Sequence, residues 1–151
     1  MEEHGEFQES AFHATTFRKF LGHVGGHAET VEEEIVVSPE VRAFNSVLVT
    51  ACLHDEVEVG LGCMGIIEYA FSDVSALIGK AVVQRGWIDA ANLVHYSLHA
   101  ALDKRHAEEF FAVVEPKWDD PKRQYFILQG LELGAYIFDR LYRDLHSAHL
   151  S

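Results

Sequence analysis

Apolar residues recur along this chain at three- and four-residue steps, the spacing of a helix that turns about 100° per residue, and almost nowhere at the alternation of a strand. Phe12, Thr16, Phe17, Phe20 and Leu21 give one apolar side to a helix predicted over about residues 10 to 24, which Gly22 and Gly25-Gly26 end. An acidic connector through Glu32-Glu33-Glu34 follows. Ser38-Pro39-Glu40 then supplies a capping hydroxyl, a proline in the first turn and an acid at the positive end of the helix dipole. That helix runs through Val41 and Leu48 toward Leu53, where the acidic patch from His54 to Glu58 kinks or divides it. Small residues at 60, 62, 65, 70 and 79 punctuate the next helix, predicted over about 59 to 84; they lower helix propensity but let neighbouring helices approach closely.

Arg85-Gly86 marks an end, and Asp89 is read as the cap of the helix that holds residues 95 to 111. Asp119-Asp120-Pro121 opens a last helix to about residue 146, with Leu128, Leu131, Ala135, Phe138, Tyr142 and Leu145 as its apolar face. Only Ile35-Val36-Val37 is β-like, too short to found a sheet. The pattern predicts one all-α domain over residues 1–151, a bundle of five or so helices.

At 151 residues, 48 % of them hydrophobic, the chain can bury a real core. Its net charge of −12 offers no basic patch to neutralise phosphates, which argues against nucleic acid and anionic membrane surfaces as partners. Two cysteines, Cys52 and Cys63, make no disulfide framework. Carried by one helix they would stand about 16 Å apart, beyond bridging distance. The first twenty residues lack a signal-peptide pattern, and the longest apolar run, 59 to 71, is interrupted by Glu68 and too short to span a bilayer. The expected location is the cytoplasm.

Candidate chemistry sits in the segment His95 to Phe111. His99, Asp103 and His106 are related by steps of four and seven and share one helical stripe, with His95 a turn earlier. Two readings stand: a solvated face, given the neighbouring Lys104, Arg105, Glu108 and Glu109, or a set of divalent-metal ligands. Glu68 is the only charged residue between Glu58 and Asp73, among Met64, Ile67, Phe71 and Ser75. It either faces a wet groove or is paired or metal-bound, because burying a lone carboxylate is costly. Imidazoles and carboxylates without a thiolate favour iron or manganese over a structural zinc. A ferritin-like bundle would need two Glu-x-x-His-type pairs, and this chain has one, Asp103 and His106.

Glu68, followed by His99-x3-Asp103-x2-His106-Ala107-Glu108, resembles the haem-oxygenase-like diiron oxidases, also described as iron-containing redox enzymes and similar in fold to the thiaminase and pyrroloquinoline-quinone synthase groups. Glu3-His4-Gly5, His13, Phe17-Arg18-Lys19-Phe20-Leu21 and Val24-Gly25 resemble the family's second core helix, and Gly130-Leu131-Glu132-Leu133 its last. The resemblance runs from Glu3 to about Leu145. It implies a haem-oxygenase-like helical bundle, shortened at the N-terminus by one core helix. The implied metal ligands are His13, Glu68, His99, Asp103 and His106, with Glu3 as a further carboxylate and Glu6, seven residues before His13, as its substitute. His95 is read as lining the pocket rather than binding metal, and His4, His23, His27, His54, His146 and His149 as surface histidines.

The function this implies is a diiron oxygenase or oxidase: two irons per chain, with manganese as the other candidate metal, activating O2 to oxidise a small organic substrate in the bundle core. One alternative is a metal-free enzyme of the same fold. The other is a non-catalytic helical module that dimerises, a second copy covering the surface a missing first helix would expose.

Overall fold

The computed structural model describes residues 12–26 and 37–150. The readings that involve Glu3, Glu6, Ser10, the acidic connector and most of the β-like stretch lie outside the described residues. Five helices are present in the order α1 (His13–His23), α2 (Pro39–Leu53), α3 (Val57–Gln84), α4 (His95–Val114) and α5 (Pro121–Leu150), with single 3-10 turns at Ala90–Asn92 and Glu115–Lys117. No strand occurs among the described residues, so the fold is all-α.

Local chemistry explains most boundaries. Val24 and Gly26 return their N–H groups to the carbonyls of Phe20 and Leu21, and Gly25 takes φ +83°, a left-handed conformation that ends α1. The Ser38 hydroxyl accepts from the Val41 N–H at 3.5 Å, with Pro39 in the first turn of α2. Gly86, at φ +66°, closes α3. Asp120 accepts from the N–H groups of Lys122 and Arg123 at 2.9 and 3.3 Å and so caps α5. Asp89 behaves otherwise than expected: it precedes the 3-10 turn without a side-chain cap bond, and α4 starts only at His95.

The chain divides into two compact units. One comprises residues up to 36 with 72–101; the other comprises 37–71 with 102–151. In the second, Ala51, Val59, Cys63, Ile67 and Ile137 form a buried cluster, with Phe44, Val47, Leu48, Phe126, Leu133 and Phe138 packed around it. The contact between α3 and α5 is made by backbone. A Cβ on Gly130 would collide with the Val59 carbonyl, and one on Gly134 would lie 2.5 Å from the Cys63 carbonyl oxygen. This closeness sets which face of α5 is buried. Ile127, Gly130, Gly134 and Ile137 point inward, whereas Leu128, Tyr142 and Leu145 of the predicted face are exposed. A hydrophobicity pattern misses this rotation because glycine carries no apolar side chain.

Three further features bear on the sequence reading. The helix predicted over about 59 to 84 is found as Val57–Gln84, and although the apolar run 59–71 alone is too short, the whole of α3 is long and apolar enough to cross a membrane by length and composition alone, as core helices of soluble proteins also can be. Cys52 and Cys63 lie on different helices, α2 and α3, and both are free. Burial pushes the Cys63 thiol up to about 11, so it packs as an inert apolar group. Glu58, read as the end of an acidic patch that kinks or divides the helix, is 1 % exposed. Lys117 Nζ donates to its Oε1 at 2.9 Å and Arg123 Nη1 to its Oε2 at 3.1 Å. These two cations are what make its burial tolerable.

Two stability measurements follow from this packing. Alanine at Gly134 would gain about 1 kcal/mol in helix propensity, but pressing Cβ onto the α3 backbone costs about 1–3 kcal/mol, and backbone cannot move aside as a side chain can. Gly134→Ala should therefore lower the urea midpoint, whereas Gly22→Ala, with nothing within 4 Å of the new Cβ, should leave it unchanged or raise it. The second concerns Glu58, whose carboxyl is held below the usual 4.5 by the Lys117 hydrogen bond and the charges of Lys117 and Arg123. Its folded-state pKa lies below its unfolded one, so its contribution is present above about pH 4.5 and lost as pH falls through the lowered value. Urea titrations of wild type and Glu58→Gln should differ at pH 7 and converge as pH falls below 4.5 through the lowered value.

Candidate metal centre

Helix α4 sets the order of the polar side chains. His95, His99 and Asp103 follow one another at single turns and are 3, 5 and 1 % exposed; His106 comes three residues later and is half-buried. A helix that buries polar groups on successive turns must give each a partner, because an unsatisfied polar group costs about 1–3 kcal/mol and a lone charge more.

In the first unit the partners come from α1. His13, the first residue of that helix, joins His95 and His99, and one possible ligand atom from each lies within 4.8 Å of the others. The rings meet edge-on or tilted, with centroids 4.6 Å apart for His13–His99, 5.0 Å for His13–His95 and 4.6 Å for His95–His99. Thr16, one turn along α1 and buried, has its Oγ1 2.9 Å from His95 Nδ1. Its hydroxyl also donates to the His13 carbonyl at 3.0 Å. Burial, reinforced by His99 and His13 alongside, pushes the His95 imidazolium down to about 4. His95 is thus neutral at physiological pH, the form that can offer a lone pair to a metal.

Beyond the imidazoles, the Tyr96 ring lies 5.0 Å from that of His95, and Phe20 packs edge-on against Tyr96 at 4.8 Å. Phe20 also lines a mostly apolar cavity of about 560 Å3 with His23, Val24, Gly25, Val82 and Trp87. That volume suits a small organic molecule.

In the second unit, Glu68 from α3 meets Asp103 and His106 from α4, again with one possible ligand atom each within 4.8 Å. Glu68 Oε2 is 3.8 Å from His106 Nδ1. The position of Glu68 partway along a glycine-bearing helix explains its reach. A Cβ on Gly65, one turn before it, would lie 2.6 Å from the Phe111 ring of α4, so glycine there lets α3 and α4 pack closely.

The donor chemistry fits iron. One group offers three nitrogens and the other two carboxylates and a nitrogen, without a thiolate in either, which suits divalent iron or manganese better than a structural zinc. A cation would also offset the cost of burying the Asp103 carboxylate.

The expected ligands therefore fall into two groups, His13 with His99, and Glu68 with Asp103 and His106. Glu3 lies outside the described residues. His95, assigned from sequence to the pocket lining, stands among the imidazoles, and its place one turn before His99 was the available signal. Thr16 was read only as part of an apolar side; a partner 79 residues away leaves no local trace. His23, His54 and His146 are exposed, as expected.

A family model described as iron-containing redox enzyme matches residues 1–137. No curated protein and no solved structure matches the chain.

The depressed His95 value has a sign that can be checked. Its unfolded-state pKa of 6.5 exceeds the folded one, so the unfolded chain takes up the proton first and stability falls as pH drops from about 6.5 toward 4. In the metal-free protein, the His95 ring resonances should show no titration between pH 5 and 8 by NMR.

Proposed function

Because the chain belongs to the iron-containing redox enzyme family, we propose that it is a non-haem diiron oxygenase or oxidase acting on a small organic substrate. The observation that carries this reading is the presence of two three-residue donor groups, each drawn in part from α4. Each group is of the size that holds one ion while leaving coordination positions open, the arrangement of catalytic rather than structural sites. Bound ferrous iron supplies the electrons that activate O2.

The chain's own residues do the rest. His13 and His99 hold one ion from two helices, and Glu68, Asp103 and His106 hold the other. Glu68 and Asp103 bring negative charge that stabilises an oxidised metal, and a carboxylate can rebind through one or both oxygens as the charge changes. Phe20 and Tyr96 link the imidazoles to the cavity in the first unit by ring contacts, so a substrate resting against Phe20, Val82 and Trp87 is held mainly by apolar contacts in a largely open groove. The lining selects an uncharged or amphipathic molecule over a polyanion. Glu3 is a candidate additional ligand of this reading.

The test is anaerobic reconstitution with ferrous iron, metal counting, and exposure to O2. The expected result is two irons per chain and an absorbance change that depends on oxygen. Asp103→Ala and His99→Ala should each lose about one iron and the oxygen-dependent change. Less than one iron per chain in wild type, with no response to O2, would overturn the proposal, and a metal-free enzyme of the same fold would then be the better reading.

A further inference from the structure

The hydrogen bonds around Thr16 point to a role for His95 beyond lining a pocket. A threonine hydroxyl has a single proton. Thr16 donates it to the carbonyl oxygen of His13, 3.0 Å away and within the same helix. Toward His95 Nδ1, 2.9 Å away, Thr16 Oγ1 can therefore act only as acceptor. Both bonds are made at once only when His95 carries its proton on Nδ1, which leaves the lone pair on Nε2. A neutral imidazole whose Nδ1–H is held by a neighbouring oxygen is the arrangement by which proteins orient a metal-ligating histidine.

We propose that His95 is a metal ligand through Nε2, completing a three-imidazole site with His13 and His99, and that Thr16 fixes its tautomer and orientation. The inference rests on the iron reading above but adds a ligand to it. It also makes the two metal positions chemically unequal. The site of His13, His95 and His99 contributes no charge to a bound M2+, whereas Glu68, Asp103 and His106 contribute two negative charges. The carboxylate site accordingly favours the harder or more oxidised ion, and the imidazole site tolerates late divalent metals such as Co2+. Helix α1 has two tasks at the centre, since His13 is the ligand at its start and Thr16, one turn on, sets the ring of another ligand on α4.

The experiment is anaerobic titration of the full chain with Co2+, read by d–d absorption and by metal retained after desalting. Wild type should bind two ions with separable affinities. His95→Ala should keep one at wild-type affinity and weaken the other by more than 100-fold. Thr16→Val, which keeps the shape but removes the acceptor, should weaken that same ion by about 10–100-fold, and Thr16→Ser should restore it. Circular dichroism establishes that each variant is folded; should His95→Ala fail to fold, the Thr16 pair decides alone. Two ions bound at wild-type affinity by folded His95→Ala, or by Thr16→Val in its absence, would overturn this inference and leave the iron reading standing. A wild-type chain that binds neither Co2+ nor Fe2+ would overturn both.

Discussion

Helix α4 buries a histidine, a second histidine and an aspartate on successive turns, and the need to satisfy them shapes what surrounds it. An interior that accepted such a stripe without partners would lose about 1–3 kcal/mol for each unpaired group, a large part of the net stability of an ordinary domain. The stripe is met from two directions. In the first unit α1 supplies an imidazole from His13 and a hydroxyl from Thr16; in the second, α3 supplies the Glu68 carboxylate. A metal adds to this logic, because a divalent ion turns buried donors from a cost into a site.

Close approach of backbones is the complementary device. Gly130 and Gly134 on α5 lie against the carbonyls of Val59 and Cys63, and Gly60 and Gly62 on α3 lie against the backbones of α2 and α5 in turn. Each glycine weakens its own helix by up to about 1 kcal/mol relative to alanine. The closer packing of the Ala51, Val59, Cys63, Ile67 and Ile137 cluster offsets that loss. At the start of α3 the same unit buries a carboxylate, Glu58, under two cations. That ion group bridges α3 to the 3-10 turn at Glu115–Lys117 and to the first turns of α5, so it ties together three segments with no apolar contact required.

Membership of the iron-containing redox enzyme family accords with donor groups of this kind. The two donor groups differ in kind, one built of neutral nitrogens and one dominated by oxygens. Such a difference would let two bound ions differ in charge or in affinity. The apolar cavity beyond Phe20 lies on the nitrogen side, in the unit that contains His13, His95 and His99.

Much of this could be read from the residues. Helix limits at Ser38-Pro39, Gly86 and Asp120-Pro121 depend on capping and on φ, which are properties of a few adjacent residues, so the sequence by itself determined them. The same holds for the stripe of His95, His99, Asp103 and His106, since helical pitch alone aligns them, and for the exceptional position of Glu68 in an apolar stretch. Tertiary structure decided what those residues meet. The buried face of α5 turned on two glycines that a hydrophobicity pattern cannot weigh, and Glu58 was an ordinary acid until Lys117 and Arg123 folded over it. At the opening stripe, the pitch of α4 offered His95 and His99 on equal terms. Only Thr16, brought from 79 residues away by the packing of α1, distinguished the environment of His95, because the direction of one hydroxyl proton is a property of three dimensions.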